Sequence, residues 1–432
     1  MTDLLRLDRL AVEGSREEDG SLIITARSRS PTAPQCCLLC EQKKLGTKSI
    51  RFRDFPVQAQ PVWLEIKRQR FRCSQCGKIS YEVLPDLDAD FRITTRFKDF
   101  LAWQAIDLPF TTAATQNGVH ETLIRRLFAQ ETERVLSTYQ PYLPRVLGMD
   151  EIYLHQKARF VIADVENGLM IDMQPSRRDA DLRSYFDGLL DRDRVEVVCQ
   201  DMWKGYRTLT KAVFPRAVTV IDKYHVVRTA NYGMEVVRKA LYLGLPNKDR
   251  IALKRKRALF LARRGGETST TQAALSKVFA AYPQMQRAYD LKERFYDIYA
   301  AGSRAQAEHA TNQWLASVPS EFERPFKTSI DALNNWRPHI LRYFEHGFTS
   351  GYVERLNGLI RKMDRNGAGY SYDTLRAKAL LKHGSRTLRK ANGSIPFHML
   401  GPDDEDMEIG DAWVWFGADL STLEADLDAG TL

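Results

Sequence analysis

No run of about 18 consecutive apolar residues occurs in the 432-residue chain, so no membrane-spanning helix is expected. The start, Met-Thr-Asp-Leu-Leu-Arg-Leu-Asp-Arg, lacks the unbroken apolar core of a secretory leader, and a cytoplasmic, nucleoid-associated protein is expected. Cysteine is scarce. Five of the six cysteines fall in two clusters before residue 77, which in a cytoplasmic chain points to a metal and not to disulfides. Lys and Arg are absent after Lys390, where ten acids follow between Asp403 and Asp428. The formal net charge of +9 therefore understates the main body, which carries +19 over residues 1–390. Its densest basic cluster is Lys254, Arg255, Lys256 and Arg257. A polyanion is the natural partner, because phosphate neutralisation with counterion release dominates nonspecific DNA affinity. With 44% hydrophobic and 28% charged residues, the chain has an ordinary globular composition, and its length allows two to four domains.

The cysteines read Cys37-x-x-Cys40, thirty-two intervening residues, then Cys73-x-x-Cys76. Two residues between thiolates let both sulfurs grip one tetrahedral ion, and four thiolates make a closed structural zinc site. Cys36 is either a spare thiol or an alternative ligand. Gly77 follows the second pair, where a tight turn often needs positive φ. Val62, Leu64 and Ile66 alternate as in a strand leading to Cys73. Lys67, Arg68, Arg70 and Arg72 are candidate phosphate contacts, against a finger of purely structural role.

Residues 110–130 carry helix-turn-helix punctuation. A short helix over Thr112–Gln116, a turn at Asn117-Gly118 and a second helix over His120–Gln130 are expected. Leu123, Leu127 and Phe128 form its apolar stripe, with Arg125 and Arg126 beside it. In such motifs the second helix enters the major groove.

Downstream, apolar runs end in acids. Arg145–Leu154 reads as a strand with Asp150 midway. Ala158–Val165 and Leu169–Gln174 read as a hairpin around Glu166-Asn167-Gly168. Asp179 is expected to cap a helix burying Leu182, Tyr185, Phe186, Leu189 and Leu190. Val195–Cys199 is a strand running out near Asp201, Trp203–Phe214 a helix, and Ala217–Ile221 a strand ending at Asp222. This order matches an RNase H-like arrangement, whose first and fourth strands are neighbours. Helical spacing follows over Met234–Leu243, Asp249–Arg264, Thr271–Phe279 and Gln284–Ala300, and Glu354 lies on a helix over Tyr352–Met363 with Arg355, Asn357 and Arg361. Asp150, Asp201 and Glu354 on separate elements repel one another unless divalent cations offset the charge. Glu151 is a decoy, turned to the opposite face by strand alternation. Trp203 and Trp336 are packing residues or, alternatively, base-stacking ones.

These motifs together resemble the insertion-sequence transposases of the ISL-three family, within the DDE transposases. The resemblance rests on the cysteine pairs, the helix-turn-helix, Gly-Met-Asp150-Glu151, Asp201-Met-Trp-Lys-Gly-Tyr, Asp222-Lys-Tyr-His225-Val-Val and Glu354-Arg-Leu-Asn-Gly-Leu-Ile-Arg. It implies Asp150, Asp201 and Glu354 as catalytic residues holding two Mg²⁺ (or Mn²⁺) ions for strand cleavage and strand transfer at terminal inverted repeats. Asp222, His225 and Trp336 would support them. Asp222 and His225 either shape the scissile region, or His225 is a core histidine. Double-stranded DNA is the implied partner, with a homodimer or larger assembly on it and no membrane.

The expected fold is α/β and multidomain: a segment at 1–35, a four-cysteine zinc finger at 36–88, a helix-turn-helix domain at 89–143, and an RNase H-like mixed-sheet core at 144–230 and 344–392. An all-helical insertion at 231–343 interrupts the core, and an acidic tail at 393–432 follows. The competing reading is a DNA-binding regulator with this architecture and no cleavage. All three acids being present favours the enzyme.

Overall fold

The computed structural model describes residues 7–38, 41–58, 60–242, 244–265 and 268–385. Cys40 and the acidic tail lie outside the described residues. The described chain forms two compact units, one of residues 7–139 and 363–382, the other of 140–362 and 383–385. No helix of the described residues is long and apolar enough to cross a membrane.

The first unit is built on β1 (Leu10–Glu18), β2 (Ser21–Ser28), β3 (Gln42–Val57), β4 (Gln60–Cys73), β5 (Ile79–Tyr81), β6 (Leu87–Asp88) and β7 (Ile93–Thr94). They form one sheet in the order β1-β2-β4-β3-β7-β6, with β5 on β4. Alternation in β4 buries Val62, Leu64 and Ile66 with Phe52 of β3, each side chain contributing about 1.5–3 kcal/mol. The sequence sets residues 1–35 apart from the finger. In the structure β2 pairs in parallel with β4 from Leu22–Val62 to Arg27–Lys67, and Leu10 and Ala26 share the core of the finger strands.

Three helices follow: α1 (Thr95–Asp107), α2 (Phe110–Asn117) and α3 (Glu121–Leu136). Thr94 caps α1 by accepting from the Phe97 amide, and His120 caps α3 by accepting from the Thr122 amide. Gly118 turns the chain between α2 and α3 at φ 59°, in the left-handed region that favours glycine. The turn is fastened to the sheet, since buried Arg53 of β3 donates to the Asn117 and Gly118 carbonyls at 3.3 Å. Neighbouring Asp54 accepts from the Thr94 hydroxyl at 2.7 Å and pairs with Arg96. The second helix of the motif runs to Leu136, six residues beyond the expected end, and its stripe is Ile124, Leu127, Phe128 and Val135. Leu123 is only half-buried, at the edge of a stripe that Ile124, Leu127, Phe128 and Val135 trace at three- and four-residue spacing.

In the second unit, β8 (Val146–Leu154), β9 (Lys157–Asp164) and β10 (Leu169–Gln174) are antiparallel neighbours, and β11 (Val197–Gln200) and β12 (Val218–Ile221) extend the sheet in parallel with β8. The order is β10-β9-β8-β11-β12, so the first and fourth of these strands are adjacent. Helices α4 (Asp179–Asp187) and α5 (Lys204–Val213) connect β10 to β11 and β11 to β12. Both bury Leu182, Phe186, Tyr206, Leu209 and Val213 with Leu147, Met149, Phe160 and Val198 of the sheet. Asp179 is not the cap of α4. Arg178 holds that position, and Asp179 is in the first turn, ion-paired with Arg183. Leu190 lies beyond the helix and is 82% exposed.

The chain then enters a helical body of α6 (Lys223–Tyr242), α7 (Asn247–Arg255), α8 (Arg257–Leu261), α9 (Ser269–Ala281), α10 (Pro283–Asp297), α11 (Arg304–Ser317), α12 (Ser320–Glu323), α13 (Lys327–Leu341) and α14 (Tyr343–His346). Its core includes Met234, Phe260, Phe295, Trp314, Phe322, Phe326 and Trp336. The helix expected over Asp249–Arg264 is two, broken at Lys256 (φ −94°, ψ 11°), which turns Phe260 and Leu261 into the core. Helix α15 (Gly351–Asn366) returns to the sheet, and the boundary between the units falls inside it, after Lys362. Helix α16 (Tyr372–His383) lies almost wholly in the first unit.

Candidate active site and metal centres

Three aspartates close one face of the parallel strands. Val197 to Cys199 pair with Val146 to Gly148, and Val197 to Gln200 with Val218 to Ile221. Continuing these registers puts Asp201 beside Asp150 on one side and beside Asp222 on the other. Side chains alternate along a strand. Val146, Val197, Cys199 and Val220 form one apolar cluster, and Asp150, Asp201 and Asp222 share their face by spacing of two or four. Asp201 and Asp222 follow the carboxyl ends of β11 and β12, where α/β sheets present their chemistry, and Asp150 stands beside them midway along the longer β8.

Helix α15 covers that face because Gly148 lets it approach. A Cβ on Gly148 would lie 2.5 Å from Val353 Cγ2 and 2.6 Å from Val165 Cγ2. Asn357, one turn beyond Glu354, donates to Asp150 Oδ2 at 2.8 Å and to the Glu151 carbonyl at 3.3 Å. The other Asp150 oxygen accepts from the Glu151 amide at 2.7 Å. Asp201 accepts from the Met202 amide, and Asp222 from the Ser350 amide at 3.3 Å. His225, one helical turn after Asp222, reaches into the cluster. Its Nδ1 is 3.4 Å from Asp201 and 3.7 Å from Asp222, and its Nε2 is 3.9 Å from Glu354. Glu151 points to the other face, where the Tyr206 hydroxyl donates to it at 2.6 Å and Arg177 pairs with it.

The electrostatics of this cluster disfavour ionised carboxylates unless positive charge offsets them. Burial pushes the Glu354 carboxyl far above its ordinary range, and the charges of Asp222, Asp150 and Asp201 push it further. Burial raises Asp150 to about 6; His225 and the Glu151 amide oppose the shift, and Asp201 and Asp222 add to it. Asp222 Oδ2, His225 Nδ1 and Glu354 Oε1 are buried with no hydrogen-bond partner. Each such group left unpaired costs about 1–3 kcal/mol. Ligand atoms of Asp222, His225 and Glu354 all lie within 4.8 Å of one another. Oxygen-rich donors with uncompensated charge fit Mg²⁺ or Mn²⁺.

A second cluster lies in the first unit. Sulfurs of Cys36, Cys37, Cys73 and Cys76 lie within 4.8 Å of one another, with Cys36–Cys76 at 3.4 Å and Cys37–Cys73 at 3.7 Å. A tetrahedral zinc with bonds of about 2.3 Å has sulfur–sulfur edges of about 3.8 Å, so the spacing fits. Backbone amides of Cys76 and Gln75 draw the Cys73 thiol down, while burial and Cys73 itself push Cys37 up. Gly77 makes the turn at φ 71°. Among the described residues Cys36 occupies the corner expected for Cys40.

Comparisons with known proteins bear on this arrangement. A family model described as "Transposase" matches residues 147–379, more than half the chain, from β8 through α16. A model of the "Helix-turn-helix domain of transposase family ISL3" matches residues 82–131. This chain belongs to the ISL3 transposases. It is similar to the transposase for insertion sequence element IS1001 of Bordetella parapertussis, 26% identical over 364 residues, which cover 81% of this chain and 88% of that one.

The matched helix-turn-helix domain supports DNA binding, and the candidate DNA contacts divide by exposure. Arg125 and Arg126 are exposed on α3, over the rings of Phe110 and Phe91 at 5.0 and 4.7 Å. Lys254, Arg255 and Arg355 are exposed, whereas Lys256, Arg70 and Arg361 are half-buried. Arg68 and Arg257 do not fit a phosphate-binding role. Arg68 is buried, donates to the Glu82 carbonyl at 2.7 Å and stacks on Tyr81; Arg257 pairs with buried Glu235 at 2.9 Å. The count of basic residues in a strand or cluster does not reveal which face the sheet or helix turns inward. Trp336 is buried in the helical body under the Arg207 guanidinium at 4.8 Å, while Trp203, at the start of α5, is 41% exposed. Gly148, Ser350 and the anchoring role of Asn357 escaped the sequence reading. The one available signal was Asn357 standing three residues after Glu354, on the same helical face.

Proposed function

We propose that this transposase binds the terminal inverted repeats of its insertion sequence through the helix-turn-helix and cleaves and transfers DNA strands at an RNase H-like site holding Mg²⁺ or Mn²⁺. Asp150, Asp201 and Glu354 are its ion-binding carboxylates. The observation that carries this is Asp150, Asp201 and Asp222 in a row on one sheet face, with Glu354 delivered over it by α15. When bound, a pair of divalent ions lowers the pKa of an attacking water or 3′-hydroxyl and stabilises the leaving oxygen. The protein's share is positional. Asn357 fixes the Asp150 carboxylate, the Met202 amide fixes Asp201, and Tyr206 with Arg177 holds Glu151 away from the site. The cysteine cluster fits one structural zinc, with Cys37, Cys73 and Cys76 joined by Cys40 or Cys36. Paired ends call for a dimer or larger assembly on DNA.

The test is a labelled duplex carrying an element end, incubated with the full chain and Mg²⁺ or Mn²⁺. Nicking and strand transfer are expected, and both vanish in Asp150→Ala, Asp201→Ala and Glu354→Ala while end binding survives. Cutting that persists in all three variants overturns the assignment, and a wild-type chain that binds ends and never cuts favours the regulator.

A further inference from the structure

Asp222 and His225 are more deeply committed to the acidic cluster than a supporting role requires. We propose that Asp222 and His225, together with Glu354, form a mixed oxygen–nitrogen ion position, so that one of the bound cations is coordinated by a histidine nitrogen and Mn²⁺ is preferred to Mg²⁺ there. The inference rests on the proposed function in taking Glu354 as an ion ligand, and extends it to two further residues and a metal preference.

Asp222 is only 1% exposed, and a carboxylate so placed needs compensation. Its Oδ1 receives one amide, from Ser350 at 3.3 Å, and no amide reaches its Oδ2; without an ion, the protonated Glu354 carboxyl is its neighbour there. Lys223, next in the chain, feels the Asp222 charge, yet its ammonium lies over the rings of Tyr299 and Tyr343 at 5.4 and 5.9 Å and makes no ion pair with that carboxylate. His225 is the adjacent group with nitrogen to offer. Its approaches to Asp201, Asp222 and Glu354, from 3.4 to 3.9 Å, make no hydrogen bond at buried Nδ1. Ligands around one ion at bonds of about 2.1 Å stand roughly 3.0 Å apart in an octahedron and about 3.4 Å in a tetrahedron. One ring nitrogen of His225 and one carboxylate oxygen each of Asp222 and Glu354 lie within 4.8 Å of one another, a set that closes around a single ion with shifts of about 1 Å. A histidine serving only as core filler would donate one ring N–H to a carbonyl or hydroxyl. Mg²⁺ favours all-oxygen surroundings, whereas imidazole suits transition ions.

The full chain is titrated with Mn²⁺, with free ion followed by electron paramagnetic resonance and bound ion by its pulsed nitrogen modulation. Wild type should bind Mn²⁺ at least tenfold more tightly than Mg²⁺ and show ¹⁴N coupling that changes to ¹⁵N coupling in protein labelled with ¹⁵N-histidine. His225→Gln should abolish the coupling, and Asp222→Asn should weaken Mn²⁺ binding tenfold or more. Thermal melts and end binding verify that both variants fold. Bound Mn²⁺ without nitrogen coupling, no bound Mn²⁺, or unchanged affinity in both variants overturns the inference. Binding lost in Asp150→Asn and Asp201→Asn and kept in Asp222→Asn and His225→Gln sinks this inference alone. Unimpaired binding in all four variants removes the three-acid reading as well.

Discussion

Replacing Gly148 with alanine tests whether the approach of α15 to the sheet sets the site. The added Cβ would meet Val353 Cγ2 at 2.5 Å and Val165 Cγ2 at 2.6 Å. Carbon atoms in contact prefer about 3.5–4.0 Å, so roughly 1 Å must be found. Neither neighbour is the end of a long flexible chain: both are β-branched valines with one favoured rotamer in place. Overpacking of this kind costs about 1–3 kcal/mol, and α15 is the element free to back away. Glu354 is the residue after Val353, and a misplacement of about 1 Å in a catalytic group costs on the order of 100-fold in rate. Gly148→Ala should therefore cut Mg²⁺-dependent nicking about 100-fold, while end binding stays within about twofold because the helix-turn-helix belongs to the other unit. Val353→Ala in the same chain removes one of the two clashing methyls and should restore about tenfold of the loss, a coupling of about 1.4 kcal/mol. Single-turnover nicking of the four proteins measures the cycle. Wild-type cutting by Gly148→Ala, or a double variant no better than the single, would refute the argument.

Asn357→Ala should reduce cleavage about 10–100-fold with unchanged end binding, because Asp150 loses the amide that orients it; equal cleavage rates would count against that role. In metal-free buffer, stability should fall as pH rises. Glu354 stays protonated in the folded chain where the unfolded chain ionises above 4.5, and Asp150 does the same between 3.8 and about 6, so the unfolded state binds fewer protons across those windows. Melting temperatures from pH 4.5 to 8, with and without Mn²⁺, check the sign, and the ion should flatten the decline. Zinc near one per chain is expected by elemental analysis, and Cys73→Ser should lose it together with several degrees of melting temperature. A metal-free protein that melts as the wild type does would exclude a structural zinc.

The row of aspartates was legible because parallel strands covered on both faces read as short apolar runs, and an acid at the end of such a run stands out. Asp150, Asp201 and Asp222 were found this way, as was the helix bearing Glu354. Their register was not legible, since it depends on hydrogen bonds between strands as far apart in the chain as Val146 and Val197. Glu151 was turned away by simple alternation, and the structure gives it Tyr206 and Arg177. Arg68 misled because a basic run along β4 carries no mark of which alternate residues face the core, and Arg68 falls on the same side as Leu64 and Ile66. The Asp179 cap failed for a different reason: an acid at the cap and one in the first turn serve the same helix end, and sequence alone does not separate them. β1 and β2 were left out of the finger because only β2 pairs with β4, in parallel and across the cysteine segment, with no local turn to announce it.

The side chain of Lys378 on α16 donates to the carbonyls of Ala105 and Leu108, at the end of α1, 270 or more residues earlier in the chain, and sits among the rings of Phe110, Phe128 and Tyr370. A ribosome making this protein from its amino end thus completes the DNA-reading body last. Any product that stops short of Tyr372 emerges with that body's keystone missing, Phe110 and Phe128 without their lysine and the end of α1 unfinished.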